Sequence, residues 1–144
     1  MKVKYKKIKK QAVTPTAGSE YSAGLDLYNA ETIPVYLQPG ENFFFSTGLI
    51  FEIPEGYFGG IFARSGLACK SGLRPANCVG VVDSDYRGEV QVCLYNDSPL
   101  IQTVNPGERI AQMVIMPYLQ AELEEDSELS DTDRGEGGFG STGV

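Results

Sequence analysis

The sequence predicts a single all-β domain, a sandwich or barrel, on three observations. Its apolar residues fall in short runs rich in Val, Ile, Phe and Tyr: 43-FFF-45, 49-LIFEI-53, 57-YFGGIF-62, 79-VGVV-82, 90-VQVCLY-95 and 110-IAQMVI-115. Gly and Pro punctuate the intervals at Pro39-Gly40, Pro54-Glu55-Gly56, Ser71-Gly72, Arg87-Gly88, Ser98-Pro99 and Pro106-Gly107, as turns between short strands require. No segment sustains a long 3.6-residue apolar period, and there is no internal repeat. At 144 residues and 42% hydrophobic, the chain is long enough for one core.

Taken in order, 1-MKVKYKKIKK-10 reads as a first strand with a solvated lysine face, because Val3 and Tyr5 alternate with Lys2, Lys4 and Lys6. It lacks the apolar centre of a secretory signal. The six apolar runs follow as strands. The one helical candidate is 65-SGLACKSG-72, opened by Ser65 as an N-cap and closed near Gly72. Asp83-Ser84-Asp85-Tyr86-Arg87-Gly88 lies between two β-rich runs and reads as the tip of a hairpin. The stretch 124-EEDSELSDTD-133 holds six carboxylates and reads as a solvated linker. The tail 134-RGEGGFGSTGV-144 has too little apolar surface to fold alone. The expected organisation is a β-domain over 1–123, an acidic linker over 124–133 and a flexible glycine-rich segment over 134–144.

The net charge of −7 argues against nonspecific nucleic-acid binding. Six of the twelve cations are lysines in the first ten residues, and five of the other six are arginines: Arg64, Arg74, Arg87, Arg109 and Arg134. An arginine's planar fork of donors matches phosphate oxygens, so sparse arginines beside glycines point to local anion recognition, although any one alone is an ordinary ion-pair partner. Cys69, Cys78 and Cys93 are odd in number and lack CxxC spacing, which suits reduced thiols in the cytoplasm. No stretch approaches the ~20 apolar residues of a membrane helix.

Four stretches hold groups suited to chemistry. In 63-ARSGLA-68 an arginine and a hydroxyl meet the backbone N–H groups of a helix start, a pattern that serves an anion or a plain cap. Asp83 follows the run 79-VGVV-82, where a carboxylate is expected to be partly shielded. The chain contains no histidine, so a general base near neutral pH falls to another group, and an ionised aspartate can polarise a water. In 107-GERIAQMVI-115, Arg109 and Gln112 interrupt a β-like run three apart, on opposite faces of a regular strand unless the turn after Gly107 breaks the alternation. From Gly135 the tail runs G-x-x-x-x-G-S-T, the outline of a phosphate loop without its lysine. Its glycines and hydroxyls can donate to phosphate, Arg134 carries the charge, and Phe139 can stack on a base.

The stretches 23-AGLDL-27, 63-ARSGLA-68, 79-VGVVDSDYRGEV-90, 107-GERIAQMVI-115 and 134-RGEGGFGSTG-143 resemble, in order and spacing, the five motifs of the trimeric dUTPase family. The resemblance implies a jelly-roll-like β-barrel or sandwich, a homotrimer with sites shared between chains, and Mg2+-dependent hydrolysis of dUTP to dUMP and pyrophosphate. By the same resemblance Asp83 activates the attacking water, and Tyr86 packs under the deoxyribose and leaves no room for a 2′-hydroxyl. Asn77, Val81, Val82 and Gln91 fall at the uracil hairpin, and Arg64, Ser65, Gly66 and Gln112 at phosphate positions. Arg134, Phe139, Gly140 and Ser141 match the closing tail, Asp26 and Arg109 support the phosphate end, and the Mg2+ is held by the triphosphate and water. Two alternatives differ in class. A related dCTP deaminase needs a carboxylate where this chain has Cys93. A nucleotide-sensing regulatory protein usually needs an added surface.

Overall fold

The computed structural model describes residues 1–138. Twelve strands and one short helix follow in the order β1 (Lys4–Lys7), β2 (Thr16–Ala17), β3 (Leu25–Tyr28), β4 (Val35–Leu37), β5 (Asn42–Ser46), β6 (Leu49–Glu52), β7 (Tyr57–Phe62), α1 (Ser65–Ser71), β8 (Leu73–Pro75), β9 (Gly80–Val82), β10 (Gln91–Asn96), β11 (Gln102–Val104) and β12 (Arg109–Pro117). All six apolar runs of the sequence are strands. A five-stranded antiparallel sheet, β2-β3-β12-β7-β9, faces a three-stranded sheet, β5-β10-β8, and two-stranded ribbons β1-β6 and β4-β11 complete the jelly-roll-like sandwich.

Alternation along each strand sends one face inward. Leu27, Ile61, Val82, Ala111 and Met113 from the larger sheet meet Phe45, Val92 and Leu94 from the smaller, with Leu49, Phe51 and Ile53, in one buried cluster. Leu94, Phe45 and Met113 are wholly inaccessible, so truncating any of them to Ala removes about 2–5 kcal/mol.

The helix is two turns of Ser65–Ser71, as expected, but its N-cap is Arg64, with no side-chain cap hydrogen bond, and Ser65 is the first helical residue. Ser65 therefore does not cap the helix. Gly72 closes it at φ 65°, donating to Ala68 O and Leu67 O, and a Cβ there would sit 2.9 Å from the Ser98 backbone nitrogen. Only glycine meets both demands.

The region 83–90 differs from the expected hairpin. β9 pairs with β7, and β10 pairs with β5 and β8, so the two strands flanking Asp83–Val90 lie in different sheets. β9 is the edge strand of the larger sheet and β10 lies between β5 and β8 in the smaller, so the loop is a crossover from one layer to the other. Residues 118–132 form no strand or helix, and 119–136 are exposed. Among the described residues no helix is long and apolar enough to cross a membrane.

Candidate active site

The crossover loop presents Asp83 and Tyr86. Val82 points into the core and is 8% exposed, so its neighbours Val81 and Asp83 point out, and both are exposed. The shielding expected for Asp83 is thus absent within one chain, because strand alternation turns its carboxylate away from the core. The Tyr86 ring lies across Gly88, where a Cβ would fall 2.3 Å from the phenol oxygen. Its hydroxyl donates to Glu89 O at 3.1 Å. Arg87 clasps the loop from outside, donating to Ser84 O at 2.7 Å and Tyr86 O at 3.0 Å.

Beside this loop two small, adjoining hollows open between the sheets. One, of about 110 Å³, brings together Asn77, Val81, Val82 and Gln91 with Phe44, Ile61, Pro75 and Cys93. The other, of about 220 Å³, joins Val81, Val82 and Gln91 to Asp83, Tyr86, Glu89 and Phe44. The turn that delivers Asn77 is tight: Cys78 sits at φ 63°, Cys78 N donates to Pro75 O at 3.1 Å, and Gly80 leaves the Asn77 amide just enough room. Burial pushes the Cys93 thiol above its ordinary value, so the group standing where a deaminase would need a carboxylate is neutral and weakly polar.

A second cluster forms around Asp26 on β3. Asp26 is 8% exposed and accepts from Arg64 Nε at 2.8 Å and Arg109 Nη1 at 3.2 Å. The Arg109–Gln112 question is answered by a β-bulge. Arg109 pairs with Tyr28 but Ala111 with Leu27, two steps on β12 against one on β3, so Ile110 and Ala111 are both buried and the alternation flips. Arg109 and Gln112 therefore share the Asp26 face. Gln112 Nε2 donates to Ala63 O at 2.9 Å, and its oxygen lies over Gly24, where a Cβ would approach to 2.3 Å. Ser65 and Gly66 are exposed beside Arg64, and a Cβ on Gly66 would meet open space. Two guanidinium groups, an amide and an open helix start make this an anion-attracting corner.

One chain does not unite the two clusters. Asp26, Gln112 and Phe62 lie in one row across β3, β12 and β7, whereas Asp83 follows Val82, whose partner is Gly59, and so faces Phe58. Three strand spacings across the sheet and four residues along it separate the Asp26 and Asp83 backbones by roughly 20 Å. Among the described residues, the two hollows that Asp83 lines include none of Asp26, Arg64, Ser65, Gly66, Arg109 and Gln112. Arg134 is exposed in a turn, donating to Gly137 O at 2.7 Å, and makes no side-chain hydrogen bond or ion pair with the barrel among the described residues. Phe139, Gly140 and Ser141 lie outside the described residues. Among the described residues no three His, Cys, Asp or Glu side chains gather as a metal site.

Sequence reasoning missed Phe44, Gly24, Glu89 and the bulge. Gly88, two residues after Tyr86, carried a usable signal. Phe44 carried none, because only strand pairing with Cys93 brings it to the slot.

The layers define a jelly-roll-like β-sandwich protein, and the comparisons with known proteins narrow this. The dUTPase family model matches residues 10–143. A deoxyuridine 5'-triphosphate nucleotidohydrolase of Nautilia profundicola is 50% identical over 99% of both chains, and one of a Hydrogenobaculum species is 46% identical over 100% of this chain and 99% of its own. Among solved structures, the Staphylococcus bacteriophage 80alpha dUTPase with dUpNHpp superposes with a TM-score of 0.86 at 31% identity, covering 99% of both chains. A variant of the phage phi11 dUTPase of S. aureus, described with a structural Mg(II) ion, has a TM-score of 0.78 at 26% identity, covering 89% of this chain and 98% of its own. This chain belongs to the dUTPase family.

Proposed function

We propose that the chain hydrolyses dUTP to dUMP and pyrophosphate in a site assembled between the chains of a homotrimer. The reaction supplies dUMP for thymidylate synthesis and keeps uracil out of DNA. The observation that carries the shared site is the separation within one chain of the base slot and Asp83 from the Asp26–Arg64–Arg109 corner, since a triphosphate needs both ends at once. A neighbouring chain that brings its corner against the exposed Val81–Asp83 face would complete the site. It would also supply the shielding that Asp83 lacks alone.

Uracil enters the slot lined by Asn77, Val81, Val82 and Gln91, where there is little space for the thymine methyl. The Tyr86 ring underlies the deoxyribose. Asp83 takes a proton from a water as that oxygen bonds to the α-phosphorus, and the bond to the bridging oxygen breaks, releasing pyrophosphate. Arg64, Ser65, Gly66 and Gln112 of the neighbour hold the phosphates, with Asp26 orienting Arg64 and Arg109. Arg134, Phe139, Gly140 and Ser141 close the site from a further chain, as the last segment of the proposed 1–123, 124–133 and 134–144 division. Guanidinium and amide donors suit an anion rather than a bare cation, so the fit is to Mg2+ arriving on the triphosphate. Bound there, it would neutralise phosphate charge. Three free thiols support a cytoplasmic location.

The test is pyrophosphate release compared across dUTP, dTTP, dCTP and UTP. Release with dUTP alone is expected. Equal rates on dCTP, or its conversion to a uracil nucleotide, would defeat the assignment.

A further inference from the structure

We propose that Glu89 is a positioning residue for sugar discrimination, tying the Tyr86 ring to the rigid turn between β5 and β6. This rests on the reading of Tyr86 as the ring beneath the deoxyribose.

Residues 83–87 are exposed or half-exposed, and the bonds that hold them are mostly their own: Tyr86 N to Asp83 O at 3.2 Å and the Arg87 clasp. Such a loop does not by itself fix a ring's height. Among the described residues, the Tyr86 hydroxyl reaches beyond it only to the carbonyl of Glu89. Glu89 is anchored in turn, with its side chain only 19% exposed. One carboxylate oxygen accepts a short hydrogen bond from Ser46 Oγ and another from Gly48 N at 2.8 Å, with Lys9 Nζ 3.8 Å away.

The anchoring turn has little freedom. Ser46 and Thr47 are fully buried, and Gly48 sits at φ 67°, where a Cβ would meet Ala12 Cβ at 2.8 Å. Val90, next to Glu89, is stitched to the same turn twice, through Val90 N to Leu49 O at 2.9 Å and Thr47 Oγ1 to Val90 O at 2.5 Å. Position therefore passes from the buried β5–β6 turn to Glu89 and from Glu89 to the ring. A ring held at one height excludes a 2′-hydroxyl, and a ring free to sink admits it. Glu89 touches no reacting atom, so it acts through Tyr86 on the ratio of UTP to dUTP turnover.

The experiment measures kcat/KM for UTP and dUTP in Glu89→Ala, Glu89→Gln, Tyr86→Phe and Tyr86→Ala, with Val104→Ala as a core variant remote from the loop. Glu89→Ala and Tyr86→Phe are expected to raise the UTP:dUTP ratio about three- to tenfold, the range that one net hydrogen bond allows. Glu89→Gln keeps an acceptor for Gly48 N and is expected to restore the ratio. Val104→Ala is expected to lower Tm without moving it. If Glu89→Ala does not fold, Ser46→Ala, which removes one anchor, is expected to shift the ratio in the same direction. A ratio moved by Tyr86→Ala but not by Glu89→Ala or Tyr86→Phe overturns the proposal alone. A ratio unmoved by Tyr86→Ala overturns the Tyr86 reading and the proposal with it.

Discussion

Mixing two inactive variants tests the shared site most directly. Asp83→Asn preserves shape and removes the anion that polarises water, a change expected to cost roughly 10²–10⁴ in turnover. Arg64→Ala removes the guanidinium 2.8 Å from Asp26, yet leaves the carboxylate paired with Arg109 at 3.2 Å, so the chain is expected to fold. The roughly 20 Å between the Asp26 and Asp83 backbones exceeds what side-chain motion closes, so the proposed site would take Asp83 from one chain and Arg64 from another. In a closed cyclic trimer formed from equal amounts of the two variants, a working site needs an Arg64→Ala chain in the Asp83 position and an Asp83→Asn chain in the Arg64 position. Each has even odds, so about a quarter of the sites are expected to work. The assay is pyrophosphate release after the variants are unfolded together and refolded, with mixed trimers confirmed by native mass. Confirmed mixed trimers with no recovered activity would refute the reasoning, because a site built within one chain recovers nothing.

Deleting residues 134–144 is expected to leave Tm nearly unchanged and to abolish most turnover, since Arg134 makes no side-chain hydrogen bond or ion pair with the barrel among the described residues; circular dichroism and pyrophosphate release check the two halves. Gly24→Ala pushes a methyl to 2.3 Å from the Gln112 oxygen, a flexible end that can swing away. Its cost is expected in KM for dUTP rather than in stability, because Gln112 must leave Ala63 O. Iodoacetamide is expected to label half-buried Cys93 more slowly than exposed Cys69 and Cys78, by mass spectrometry of the peptides. The reactive thiolate of Cys93 appears only as pH rises past its raised pKa, so its labelling is expected to accelerate above the ordinary thiol range and to slow when dUMP fills the slot.

The strands were legible in the sequence wherever apolar runs stood between Gly and Pro breakers, because burial on one face and a turn at each end are local demands. The short strands β2, β3, β4, β8 and β11 escaped, being two to four residues long and outside the apolar runs. The motif residues were legible as chemical types, and the family resemblance named their roles. Pairing was not legible. Val82 and Gln91 look like the two arms of a hairpin, but each finds its hydrogen-bond partners elsewhere, on β7 and on β5. The extra residue at Ile110, which swings Arg109 onto the Asp26 face, leaves no mark on composition. The sequence by itself therefore determined the sheet-forming segments that carry apolar runs, the turn positions between them and the inventory of donors and carboxylates. The tertiary structure alone decided that Asp83 faces outward on one edge of a five-stranded sheet while Asp26, Arg64 and Arg109 gather near the other. Strand order and register are set by long-range packing, and local residue preferences do not encode how far apart two strands end.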